Sequence, residues 1–153
     1  MINLVITFAA SFLIWVMVLV VFIFLFESRK KKIQEVLTIL ISPVIAVAGS
    51  WLVKAFIPYA QRPFKVNGFP PLTLTIPANT SFPSDHTAVA FALAVAVFLY
   101  NKRLGLILLI AALLVGVARV FSNVHYPIDI IGGALLGSFV TLAVDTFLRR
   151  KIK

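Results

Sequence analysis

The chain has 153 residues, 61% of them hydrophobic and only 12% charged, with a formal net charge of +9. A soluble domain carries about 25% charged residues, so a mean hydropathy of +1.08 excludes an ordinary soluble fold and points to one polytopic membrane domain over residues 1–153. The basic residues are not spread over a soluble face, which argues against a nucleic-acid partner, and without cysteine there is neither a disulfide nor a thiolate metal site.

Five apolar segments follow in chain order. The first, residues 4–26, is too long for a signal peptide, and its positive charge (ESRKKK, residues 27–32) follows it rather than preceding it. The second, residues 33–57, holds Pro43, which is expected at most to kink it. A polar, proline-rich stretch covers residues 58–83. The third segment, residues 84–100, alternates Ala88, Ala90, Ala92, Ala94 and Ala96, a pattern read as close packing. The fourth covers residues 104–121 and the fifth residues 127–148, where Gly133 and Gly137 form a GxxxG pattern read as helix packing. Twenty helical residues cover roughly 30 Å of hydrocarbon. The expected fold is an all-α membrane bundle of about five transmembrane helices, with the bilayer as its surroundings.

Basic residues orient the bundle. Arg29, Lys30, Lys31 and Lys32 follow the first segment, Lys102 and Arg103 separate the third and fourth, and Arg149, Arg150, Lys151 and Lys153 follow the fifth. Five alternating crossings put all three clusters on one side, which should be the cytoplasm, with the C-terminus there. Lys54, Arg62, Lys65 and Arg119 fall on the outer side with both histidines.

That outer side gathers an unusual polar set, and ionisable groups at membrane depth are costly and commonly functional. Lys54, Arg62 and Arg119 suit a multiply charged anion, the arginines bidentately. Ser84, after a proline and before an apolar run, reads as an N-cap, and the amides beyond it make an anion site. Pro127 suits a first helical turn, which places His125 just before that helix. Asp129, four residues on, is then positioned to hold one imidazole nitrogen and leave the other free as a nucleophile. His86 remains as a proton donor to a leaving group. Lys65 reads as a headgroup contact and Asp145 as a partner of Arg149 or a neighbouring helix. A metal site is not expected, because the cations oppose a divalent ion and no HExxH-type spacing occurs; no cofactor is expected either. A non-enzymatic membrane protein or anion transporter using the same cations stands as the alternative class, although no internal repeat is visible.

The segments PSDH and RVFSNVHYPID resemble the type 2 phosphatidic acid phosphatase (PAP2) superfamily, whose blocks are written KxxxxxxRP, PSGH and SRxxxxxHxxxD. Arg119, His125 and Asp129 match the third block, with Ala118 in place of its serine. Pro83, Ser84 and His86 match the second, with Asp85 in place of glycine. Arg62 and Pro63 match the first, but seven residues rather than six separate Lys54 from Arg62. The resemblance implies a phosphohistidine mechanism without a metal. His125 would attack phosphorus, Asp129 would orient it, and His86 would protonate the leaving oxygen and then activate water. Lys54, Arg62, Ser84 and Arg119, with backbone amides near Asp85, would hold phosphoryl oxygens. FPSDHT with HYPIDIIGG is similar to bacterial undecaprenyl-diphosphate phosphatases of the bacitracin-resistance type, which act on the outer face. Phosphatases of phosphatidic acid and phosphatidylglycerophosphate share the same blocks. Two accounts of Asp85 stand open: a first-turn carboxylate facing away from the site, or a partner of Arg62 or Lys54 that releases its cation to a diphosphate.

Overall fold

Small residues decide which helix sits in the middle. The computed structural model describes residues 1–27, 32–74 and 80–152. Its helices are α1 (Ile2–Ser11), α2 (Leu13–Glu27), α3 (Ile33–Phe56), the short α4 (Pro63–Asn67), α5 (Asp85–Tyr100), α6 (Lys102–Phe121) and α7 (Pro127–Lys151). Arg29, Lys30, Lys31 and Lys153 of the basic clusters lie outside the described residues. The alanine-rich α5 is the central helix, packed against α3, α6 and α7 and touched by α2. Ala88, Ala90, Ala92, Ala94 and Ala96 are all fully buried. Lipid tails are as apolar as leucine, so helices associate by close packing rather than by expulsion from water.

α5 and α7 approach each other closely. A methyl group on Gly133 would lie 2.6 Å from the Ser84 carbonyl oxygen, and one on Gly137 would lie 2.1 Å from that of Ala88. One turn further, the Thr141 hydroxyl donates to the Ala92 carbonyl at 3.2 Å. The GxxxG pattern is thus the seam of these two helices. α3 continues through Pro43 as one helix, and the Ser42 hydroxyl donates to the Thr38 carbonyl one turn back at 2.7 Å.

By length and composition, α3, α6 and α7 qualify to cross a membrane, with mean hydropathies of 2.2, 2.6 and 1.8. α1 and α2 qualify only as a pair, bent by 49°. The first apolar segment is therefore not the single continuous span expected from sequence; it breaks at Phe12. The break has a physical cause. Arg119 Nη1 donates to the Ala10 carbonyl at 3.1 Å, the oxygen that an unbroken helix would offer to the amide of Ile14. A side chain inserted into the i→i−4 ladder is a known origin of kinks. α5, with 16 residues, reaches only about 24 Å.

Polar residues mark two opposite ends. At one, the Asp145 carboxylate accepts from Gln34 Nε2 at 3.1 Å, from Arg149 Nε at 2.7 Å and from the Tyr100 hydroxyl. This cluster fastens the start of α3 to the ends of α5 and α7, and the expected Asp145–Arg149 pair is part of it. The other end holds the candidate site. Between them the outward faces carry exposed Trp15, Trp51, Phe139 and Phe147, as a lipid-facing surface should.

Candidate active site

The sequence HYPID builds a histidine–carboxylate pair out of the start of a helix. Tyr126 is the N-cap of α7 and Pro127 its first residue, where a missing N–H costs nothing and φ is already helical. Asp129, at the third helical position, turns back and accepts from the Tyr126 amide at 2.9 Å. The same Oδ2 faces His125 Nδ1 at 3.2 Å. Asn123 makes the preceding turn with φ of 62°, a left-handed conformation that asparagine tolerates. Its side-chain amide donates to the Phe69 carbonyl at 2.8 Å. The His125 amide donates to the Arg119 carbonyl at 3.3 Å.

Arg62 comes from the far side of the polar loop. It caps α4 ahead of Pro63, and its guanidinium reaches several acceptors, among them the following. Nη1 donates to the Val124 carbonyl at 3.0 Å and lies 3.2 Å from His125 Nε2, while Nη2 donates to the Thr80 carbonyl at 3.0 Å. Burial pulls this guanidinium below its usual range, against the opposing pull of Asp85 and Asp129. Burial also lowers His125 from 6.5 to about 4; the charges of Arg62 and Arg119 act in the same sense, and the bond to Asp129 opposes them. The imidazole is therefore neutral near pH 7. Its one ring proton belongs on Nδ1, facing the carboxylate, so that Nε2 presents a lone pair to Arg62.

The first turn of α5 meets this pair from the side. The Ser84 hydroxyl caps the helix, accepting from the Thr87 amide at 3.4 Å, and the Ser84 amide donates to the Asp129 carbonyl at 3.1 Å. Asp85 is not turned away, as the first account of it required. Its Oδ1 lies 2.5 Å from Lys54 Nζ and accepts from the Ser50 hydroxyl. The one-residue shift of Lys54 thus leaves it at the site, but engaged by a carboxylate. Arg119 is 3% exposed, and its Nε has no hydrogen-bond partner among the described residues. His86 is half-buried. With Asp85 it forms the polar lining of an apolar groove of about 260 Å³, whose walls include Ile14 and Trp15 of α2, Val47 of α3 and Val89 of α5.

All eight candidates lie at one end of the bundle. His125 touches Asp129 and Arg62, and Lys54 touches Asp85. Ser84 joins Asp129 through the backbone, and His86 shares the groove with Asp85. Arg119 reaches Ala10, with its backbone carbonyl under His125. Lys65 is exposed and stands apart. Sequence reasoning missed Ser50, Asn123 and the Ala10 carbonyl. Ser50 lies four residues before Lys54 on one helix, a spacing that puts both on one face; a backbone oxygen at a helix break has no signature in residue types. No group of three or more His, Cys, Asp or Glu able to hold a metal ion occurs among the described residues.

Three blocks, distant in sequence and joined at the His125–Asp129 pair, match a known pattern. The PAP2 superfamily profile matches residues 35–153. The chain belongs to the PAP2 superfamily. It is 32% identical over 148 residues to the bacitracin transport permease protein BcrC of Bacillus licheniformis, covering 94% of this chain and 70% of that one. It is 34% identical over 148 residues to the putative undecaprenyl-diphosphatase YbjG of Escherichia coli, covering 95% and 72%. Its fold is similar to the crystal structure of a PAP2-type phosphatidylglycerolphosphate phosphatase from Bacillus subtilis, with a TM-score of 0.73 and 26% identity over 99% of this chain and 78% of that one. As a PAP2 protein it is a multi-pass membrane enzyme, a hydrolase of lipid phosphates.

Proposed function

We propose that the protein converts undecaprenyl diphosphate to undecaprenyl phosphate through a phosphohistidine intermediate, without a metal ion, at the outer face of the cell membrane. The observation that carries this reading is the oriented histidine: Nδ1 held by Asp129 and Nε2 facing a cation. A phosphoryl group brought to Arg62 would sit against the lone pair that attacks it. Nε2 forms a bond to the terminal phosphorus, the bond to the bridging oxygen breaks, and that oxygen leaves with the electron pair. Arg62, Arg119 and the Ser84 end of α5 stabilise the equatorial oxygens, which is where catalysis of phosphoryl transfer chiefly lies, and Lys54, paired with Asp85, is the further cation open to a phosphate of the lipid. His86 gives its proton to the leaving oxygen where one is needed. It then takes a proton from the water that attacks the phosphohistidine, freeing inorganic phosphate and restoring His125. The lipid chain lies in the groove beside His86, continuous with the bilayer. Sidedness follows from charge: ten of fourteen basic residues fall in the three clusters assigned to the cytoplasm. The names of relatives support the substrate, and five crossings are reached if α1–α2 counts as one broken span and α5 as a short one.

The test is phosphate release by purified protein in EDTA from a panel of undecaprenyl diphosphate, phosphatidic acid and phosphatidylglycerophosphate. Undecaprenyl diphosphate should be turned over fastest. Activity only with added divalent ion would overturn the mechanism, and a faster phospholipid would overturn the substrate. Release from none of them would favour the transporter reading, which the name of the B. licheniformis relative also suggests.

A further inference from the structure

Lys54 stands in the last turn of α3 and Asp85 is the first residue of α5. Their ion pair at 2.5 Å is reinforced by Ser50, one turn earlier on α3, whose hydroxyl donates to the same carboxylate oxygen. Lys54 is only 7% exposed, so its ammonium has little water to turn to and Asp85 is its counter-ion. Asp85 also lines the apolar groove beside His86. The pair therefore stands where a lipid chain in that groove would join a phosphate held at His125.

Two classes of lipid differ in chemistry at that junction. In each, the bridging oxygen leaves the attacked phosphorus with the electron pair. From a lipid monophosphate it departs as an alcohol oxygen and takes up a proton. From a lipid diphosphate it departs as an oxygen of the second phosphate, which stays on the lipid and is anionic throughout. We infer that Asp85 is a specificity residue acting through Lys54: it withholds the ammonium from lipids with one phosphate and yields it to lipids with two. A second phosphate on the groove side brings oxygens that compete for Lys54, while Ser50 keeps the displaced carboxylate hydrogen-bonded. A monophosphate places only an ester oxygen there, so Lys54 stays paired and contributes nothing to its turnover. Selection arises by denying a contact to the wrong substrate as much as by offering one to the right substrate. The inference rests on the lipid-phosphatase reading and adds the residue that distinguishes one phosphate from two.

The experiment measures kcat/KM for a polyprenyl diphosphate and the monophosphate of the same polyprenol, in detergent with EDTA, for the unaltered protein, Asp85→Gly, Asp85→Asn and Lys54→Ala. The unaltered protein should prefer the diphosphate. Asp85→Gly should raise the monophosphate value, so that the ratio falls by roughly ten- to hundredfold, the worth of one charged hydrogen bond. Asp85→Asn keeps a partner for Ser50 but loses the ion pair, and should move the ratio the same way if Asp85→Gly fails to fold. Lys54→Ala should lower the diphosphate value more than the monophosphate value. An unchanged ratio in both Asp85 variants of an enzyme active on these lipids overturns the inference and leaves the phosphatase reading intact. Release from neither lipid by the unaltered protein overturns both.

Discussion

Asp129 holds His125 and its own helix with one oxygen: Oδ2 lies 3.2 Å from His125 Nδ1 and 2.9 Å from the Tyr126 amide. The orientation of the imidazole and the helix cap are thus a single piece of geometry. Asp129→Asn separates them, because an asparagine oxygen still caps the helix but no longer carries the charge that stabilises a proton on Nδ1. The variant should fold and lose turnover by up to about 10⁴-fold, as when the orienting carboxylate of a triad is neutralised. His125→Ala should abolish turnover. Wild-type rates in either, measured by phosphate release, would remove the nucleophile assignment.

The low pKa of His125 sets an acid limb. The His125 imidazole of the free protein is neutral above about 4, so with Nε2 as the proposed nucleophile kcat/KM should hold down to that pH and fall below it as Nε2 takes a proton. Stability moves the same way. The folded value lies below the unfolded 6.5, so protons bind the unfolded chain more tightly. The contribution of His125 is fully present above 6.5 and is lost as pH falls through about 4. A limb that stays near 6.5 in a pH profile of kcat/KM would contradict the buried, cation-flanked histidine.

Arg62→Lys should be a poor substitute despite its charge. One guanidinium spans Val124, Thr80 and His125, and an ammonium cannot reproduce that planar fork. Loss of one charged hydrogen bond, at about 1.5–3 kcal/mol, predicts a fall in kcat/KM of roughly tenfold or more. Retention of full activity would mean that Arg62 acts only as a point charge.

The α5–α7 seam can be probed at its glycines. Gly137→Ala drives a methyl group against the Ala88 carbonyl, a backbone atom that cannot step aside, and overpacking of this kind costs about 1–3 kcal/mol. At Gly49 the same change meets only Leu136 at 3.6 Å, an ordinary contact. Thermal unfolding in detergent should show a lowered Tm for Gly137→Ala and little change for Gly49→Ala. Equal Tm values would mean that the seam is looser than these distances require.

Sidedness is open to chemical labelling, since the natural chain has no cysteine. Lys65 is exposed at the candidate-site end. In intact cells, Lys65→Cys should react with an impermeant thiol reagent, and a reporter fused after Lys153 should behave as cytoplasmic. Labelling only after permeabilisation would invert the bundle.

Composition made the membrane class legible, and block spacing made the His125–Asp129 pair legible, because both depend on local chemistry. A helix start with proline at its first position puts residues four apart within reach whatever surrounds them. Ser84 as a cap and the glycine seam were readable for the same reason. The break at Phe12 was not. Nothing in the apolar run 4–26 forbids a continuous helix, and the oxygen that breaks it is claimed by Arg119, more than a hundred residues away. The state of Lys54 was likewise undecided, since spacing along α3 says nothing of what α5 brings opposite it. Local periodicity specifies which atoms a helix offers, but which long-range partner takes them is settled only when α1 packs on α6 and α3 on α5 and buried charges must find a counter-ion or an acceptor.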